Sequence, residues 1–252
     1  MKNKHFLLGI LTSSFSLICS AQIHPGFKIG ASVPDIKGNT EQSKGYTSRL
    51  APFFGISLTK KIASYFNFQA EINYSPQGGK RNGMQPIDAS QFGVGIPGGT
   101  TLYANFKNET KLNYLEIPVM IQFNVHQSKE ANHIFYFANF GPYVAFRLNS
   151  KTITSGKSLV YIDPQGTTPL TIDDIPVPAQ SFDTRTNLKD EIKKISAGIT
   201  GGLGSGYEFQ EHQFFLEARF TRGLTNIQTH PETGGKNKTG SLIFAAGYVY
   251  SF

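Results

Sequence analysis

Residues 66–75 read FNFQAEINYS, and their two alternating sets differ in kind. Phe66, Phe68, Ala70, Ile72 and Tyr74 are apolar or aromatic, whereas Asn67, Gln69, Glu71 and Asn73 are polar. A period of two places the sets on opposite faces of one β-strand. In a water-soluble sheet the apolar face is the core; in a barrel surrounded by lipid it is the outside. The rest of the chain decides between them.

Seven other segments alternate in the same way. They centre on Phe27–Val33, Phe54–Thr59, Leu115–Phe123, Tyr136–Leu148, Ile195–Leu203, Phe214–Thr221 and Leu242–Phe252. The composition suits strands rather than amphipathic helices, with 13% aromatic residues, 26 glycines and only 16% charged residues. The connections obey a parity. Links at 61–65, 126–133 and 210–212 are short, and links at 34–49, 78–110, 150–191 and 224–238 are long. Short turns on one rim and long loops on the other predict an all-β, eight-stranded antiparallel up-and-down transmembrane β-barrel over 22–252, with both termini periplasmic and the long loops extracellular. Aromatic residues near strand ends (Tyr65, Phe66, Tyr74, Tyr114, Phe123, Phe135, Tyr136, Tyr248, Tyr250) suit an interfacial girdle.

The N-terminus points to export. Lys2 and Lys4 precede an apolar run from Phe6 to Ile18, followed by Cys19-Ser20-Ala21-Gln22. This pattern predicts a signal peptide, 1–21, cut after Ala21. Cleavage would remove the single cysteine, so neither a disulfide nor a thiolate metal site is expected. No other window approaches ~18 consecutive apolar residues, which excludes a helical span. The expected location is the bacterial outer membrane. At the other end, Tyr248, Tyr250 and Phe252 fall at every second position of the last strand. They resemble the terminal signal by which the barrel insertion machinery recognises its clients.

A family resemblance rests on particular stretches: Ala-Gln after the apolar leader, LNYLEIPVMIQF at 112–123, GITGGLGSGYEF at 198–209 and the terminal GYVYSF. Together these resemble the PorT-type outer-membrane β-barrel family of Bacteroidetes-like bacteria, with Leu-Glu-Ile-Pro of the fourth strand the most specific element. The resemblance implies the barrel fold and a role accessory to protein secretion.

An eight-stranded barrel is just wide enough for its own side chains, so its lumen is expected to be a packed polar core and not a pore. The alternation places Lys28, Arg147, Lys194 and Arg219 there against Glu71, Glu116, Glu208 and Glu217. Four cations facing four anions satisfy the requirement that buried ions be paired. Lys28 and Arg147 are the first partners to expect for Glu71. Pro118 cannot donate to a ladder and predicts a bulge or local kink in the fourth strand.

The catalytic and ligand motifs are weak. GGLGSG at 201–206 lacks the Gly-Lys-Ser/Thr ending of a phosphate loop and precedes no helix, so its glycines are read as room for bulky lumen neighbours. His24, His126, His133 and His212 fall at the short-turn rim. Only His230, near Glu232, lies in a long loop. No metal spacing appears, and no cofactor is expected. Basic loop residues Lys80, Arg81, Lys107, Lys111, Lys151, Lys157, Arg185, Lys236 and Lys238 suit outer-membrane lipid and lipopolysaccharide. They are not interleaved with aromatics as nucleic-acid binding would want. The expectation is therefore a non-enzymatic structural or docking protein that contacts an extracellular or periplasmic protein partner. The alternatives are a lipid-active outer-membrane enzyme and a soluble ligand-binding barrel.

Overall fold

The structure, a computed structural model, describes residues 23–38, 45–89, 100–126, 132–172 and 174–251. The expected leader and Phe252 lie outside the described residues. Eight long strands form the molecule: β1 (Ile23–Gly38), β2 (Ala51–Lys61), β3 (Phe66–Asp88), β4 (Thr101–His126), β5 (Asn132–Ser155), β6 (Ile195–Phe209), β7 (His212–Gly223) and β8 (Asn237–Tyr250). Each pairs antiparallel with its sequence neighbours, as at Phe27 opposite Ile56, Asn73 opposite Glu116 and Leu203 opposite Ala218. Phe27 also lies opposite Tyr248, which joins β1 to β8 and closes an eight-stranded ring.

The polarity of the ring is inverted relative to a soluble protein. Phe27, Ile29, Phe54, Ile56, Phe68, Ile121, Phe140, Leu203, Leu216 and Phe244 all point outward and are exposed. Lys28, Gln69, Glu71, Asn73, Glu217, Arg219 and Thr221 are buried inside. Placing the apolar face of every strand in water would forgo the main driving force of folding. Surrounded by hydrocarbon, the same face needs no further cover. Closure then pairs the backbone groups that lipid cannot satisfy. The ring is a transmembrane β-barrel.

Strand β4 marks where the membrane ends. On its outward face Leu115, Ile117, Val119, Ile121, Phe123 and Val125 are apolar, but Asn105, Lys107, Glu109, Lys111 and Asn113 are not. The inward face is mixed: Leu102, Ala104, Phe106, Leu112 and Tyr114 are buried towards the projecting end, and Glu116, Gln122 and Asn124 stand inside the belt beside Pro118 and Met120. The apolar stretch of about 11 residues, at ~3.4 Å each and tilted by ~45°, spans roughly 25 Å, the height of an outer-membrane belt.

Two expectations need correction here. Pro118 makes no bulge: Asn73 faces Glu116 and Ala70 faces Val119, so the register is the same on both sides of it. The irregularity lies instead between Asn113 and Tyr114, where Tyr114 faces Arg147 and Asn113 faces Asn149, leaving Leu148 as the extra residue. The segments expected as loops are also largely paired strand. Gln77–Asp88 pairs with Thr101–Leu112, and Lys151–Thr154 pairs with Thr184–Asn187. Period-2 alternation persists there with its polarity reversed, because beyond the belt the outside is water.

This projecting part has a core of its own. Val160–Tyr161 pairs with Tyr103–Ala104, and Lys157–Ser158 with Gln180–Ser181. Ala89, Leu102 and Val160 are buried together, with Ile87, Leu170 and Phe182 packed around them. Phe182 stacks on Phe106 at 4.8 Å between ring centroids. Asp163 secures the outer turn, its carboxylate accepting hydrogen bonds from the backbone of Gln165, Thr167 and Thr168.

The belt can be tested with one face of one strand. Ile121→Arg is expected to destabilise the folded barrel in lipid vesicles by about 2–4 kcal/mol. Asn105→Arg, on the same face beyond the belt, should change it little. Urea titration of both variants gives the comparison, and equal costs would place the membrane elsewhere.

Candidate functional site

The lumen is organised around a four-ion cluster. Lys28 on β1 lies 2.6 Å from Glu71 on β3 and 3.1 Å from Glu217 on β7. Arg219 on β7 reaches Glu71 at 2.6 Å and Glu217 at 2.7 Å. In an eight-stranded ring β3 and β7 are opposite walls, so Arg219 and Glu71 bridge the full width of the lumen. Three amides fill the remaining acceptor sites: Gln69 and Asn73 donate to Glu71 at 2.9 and 2.8 Å, and Asn139 donates to Glu217 at 2.7 Å. Both carboxylates are thus paired and further hydrogen-bonded, the condition under which buried charge is tolerated.

The layers above and below are less polar. Towards the short-turn rim, Phe135, Phe137 and Phe215 face inward, with Phe137 edge-on to Phe215 at 5.6 Å. Glycines make room for them. A Cβ on Gly204 would come within 2.1 Å of the Phe137 ring, and one on Gly247 within 2.2 Å of Phe215. Beside these rings a cavity of about 280 Å³ runs from the short-turn rim, at His24, Asn124 and Glu208, up to Gln69 and Glu217 of the cluster. Towards the other rim, Leu112, Tyr114, Tyr143 and Ala145 cluster with Ile36, and Ile192 and Ile227 cover them from the loops. Hydrogen bonds from Lys193 N to Ile227 O (2.8 Å) and Thr229 N to Glu191 O (2.8 Å) stitch these two loops across the mouth. The ion cluster and the apolar cluster above it thus occupy the lumen between this cavity and the long-loop rim.

The eight charges expected in the lumen divide accordingly. Lys28, Glu71, Glu217 and Arg219 meet in the cluster. Glu116 is buried one layer nearer the long-loop rim, hydrogen-bonded to Ser75 and outside the ion pairs. Glu208 stands at the short-turn mouth, where it accepts from Gln213 at 2.7 Å and lies 4.0 Å from His133. Arg147 does not reach Glu71. It sits where the belt ends and donates to the carbonyls of Lys189 and Ile192. Lys194 is exposed outside the barrel. The two misplacements differ in cause: Arg147 keeps its inward parity opposite Tyr114 but stands at the rim, and Lys194 lies in the loop before β6 begins at Ile195.

The aromatic residues divide too. Tyr114 and Phe135, expected in the girdle, face the lumen and are buried. Tyr65, Phe66 and Phe123 pack together outside, and Tyr248 lies on Phe27 and Phe214. Asn139 was not singled out by its sequence, although it shares the inward parity of β5. His230 and Glu232 are hydrogen-bonded at 3.1 Å in an exposed short helical turn, Pro231–Gly234.

These features define an integral β-barrel with an ion-paired polar lumen and a folded projection at one rim. The chain belongs to the family described as outer membrane protein beta-barrel domain, whose model matches residues 14–228. It is accordingly a protein of the bacterial outer membrane. Solved structures are similar at low identity. Neisserial surface protein A is 11% identical, with a TM-score of 0.40 over 90% of this chain and 97% of that one. The attachment invasion locus protein Ail of Yersinia pestis is 12% identical, with a TM-score of 0.36 over 90% and 98%. The outer membrane protease OmpT from Escherichia coli is 11% identical, with a TM-score of 0.34 over 91% and 96%. No match is found among curated proteins.

The cluster makes a double-mutant prediction. Arg219→Met leaves Glu71 and Glu217 sharing Lys28 and is expected to cost about 3–5 kcal/mol. Adding Glu71→Gln should recover a substantial part of the loss, since coupled neighbours are not additive. Urea unfolding of the single and double variants reads the coupling; strictly additive losses would show that the ions act independently.

Proposed function

We propose that this barrel is a non-enzymatic anchor that presents a prefolded docking surface outside the cell, with its termini and short turns in the periplasm. The observation that carries this reading is the second hydrophobic core beyond the belt, built from Leu102, Val160, Phe106 and Phe182 on the extended β3–β4 hairpin and residues 157–182. Spanning the membrane requires none of it. A surface ordered before binding loses less conformational entropy when a partner arrives, which is how a docking platform gains affinity. The ion cluster and the apolar cluster above it support the same reading, because they close the lumen beneath the projection and leave the projection as the part shaped for contact outside the cell. The Leu-Glu-Ile-Pro stretch of β4 and its PorT-type resemblance favour a protein partner and a role accessory to secretion.

The lipid-active reading rests on His230 and Glu232. They are close neighbours in sequence, each about two-thirds exposed to water. Catalytic acid–base pairs gain their strength from burial and fixed geometry, which this pair lacks. His230→Ala is therefore expected to leave the cell's lipid A species unchanged by mass spectrometry.

Labelling on intact cells tests orientation and docking together. A cysteine at Ser181 should react with a membrane-impermeant maleimide, and one at Glu211, in the β6–β7 turn, only after lysis. Replacing 157–181 with a short Gly-Ser linker should preserve faster gel migration of the unboiled barrel and abolish recovery of its crosslinked partner. Labelling at Glu211 on intact cells, or undiminished partner recovery, would contradict the proposal.

A further inference from the structure

Where the outer face of β5 leaves the belt, it borders a cleft of about 810 Å³. Five cations line it: Arg147 and Lys151 from β5, and Arg185, Lys189 and Lys194 from the segment that follows. Among the described residues no acidic side chain lines it. Its lower wall is Phe146 and Leu148, the last outward apolar residues of the strand within the belt, both exposed. One concavity therefore joins an apolar floor at membrane depth to a basic wall just above it.

Two details of the backbone make this a constructed arrangement. The extra residue at Leu148 turns the strand at the edge of the belt, and Arg147 is fixed there by the carbonyls of Lys189 and Ile192. Above it, Lys151 lies directly opposite Lys111 across the β4–β5 pair. Like charges directly opposite one another destabilise a sheet. Glu109 meets Lys111 at 3.0 Å and leaves Lys151 facing the cleft. A bound anion would relieve that repulsion.

We infer that this cleft binds the phosphorylated headgroup of an outer-leaflet lipid, with the phosphates against Lys151, Arg185 and Lys194 and the acyl chains along Phe146 and Leu148. Cations near an anionic lipid surface act cumulatively, and Arg presents paired donors that match phosphate oxygens. A soluble polyanion would use the basic wall and gain nothing from the apolar floor. A lipid uses both. The inference rests on the orientation proposed above and is independent of any docking partner.

Binding can be measured on the full folded barrel in neutral detergent micelles, which separates it from orientation: the Ser181 label reports orientation, and affinity in micelles does not depend on it. The probes are phosphorylated lipid A, lipid A stripped of its phosphates, and heparin as a soluble polyanion. Wild type should bind phosphorylated lipid A, and K151Q/R185Q/K194Q should bind it weaker on the order of 100-fold. Dephosphorylated lipid A should bind both proteins weakly. Arg185→Glu alone, in an exposed segment, should weaken binding about tenfold and serves if the triple variant does not fold. Unchanged affinity in the folded variants would overturn the inference. So would heparin binding as tight as that of phosphorylated lipid A, which would assign the cleft to a surface polysaccharide.

Discussion

Hydrocarbon offers no hydrogen bonds, so every backbone N–H and C=O within the belt must find its partner inside the chain. For strands this means a closed ring, which pairing of β1 with β8 completes. Closure at eight strands then sets the next constraint, because the interior is too narrow to hold bulk water and must be filled with side chains. With the apolar residues committed to the lipid side, polar ones fill it, and each charge must bring its counter-charge. Arg219, placed between Glu71 and Glu217 with Lys28 beside them, meets that requirement across opposite walls. The aromatic layer and its facing glycines complete the filling where no charges are available.

The same logic explains why a single strand carries two patterns. Along β4 the outward face exchanges character near Asn113, since the outside changes from lipid to water, and beyond the belt the inward face packs into a small apolar core. A 26-residue strand thus serves as a membrane span and as the scaffold of a projecting structure. The belt edge is also where the Leu148 irregularity, the Arg147 anchor and the cationic cleft coincide. The proposed docking surface lies further out, on the part that has its own core.

Within the belt, most of the architecture was legible in the sequence, because period-2 alternation encodes face directly. Phe68 and Gln69 show it: one exposed to lipid, the other buried beside Glu71. The cluster members Lys28, Glu71, Glu217 and Arg219 followed from parity alone. What parity could not give was height. Tyr114 and Phe135 share the parity of lumen residues, yet their nearness to strand ends suggested a girdle. Arg147 has inward parity but stands at the rim, and Lys194 precedes the strand to which it was assigned. The strand character of 78–88 and 101–110 was also present as alternation, in Leu102, Ala104 and Phe106, but with polarity opposite to that of the spans. Asn139 illustrates a further gap, since a neutral amide looks unremarkable until the carboxylate it satisfies is in place.

The central claim is that one face of β4 meets lipid and then water while the other meets neither. Spin labels placed singly from Thr101 to His126 in the vesicle-inserted barrel test it by collision with oxygen, which concentrates in lipid, and with a water-soluble nickel chelate. Odd positions from Leu115 to Val125 should favour oxygen, odd positions from Asn105 to Asn113 should favour nickel, and even positions from Leu112 to Met120 should respond weakly to both. Nickel access at Ile117, Val119 and Ile121, or oxygen access moving to the even positions, would contradict the account.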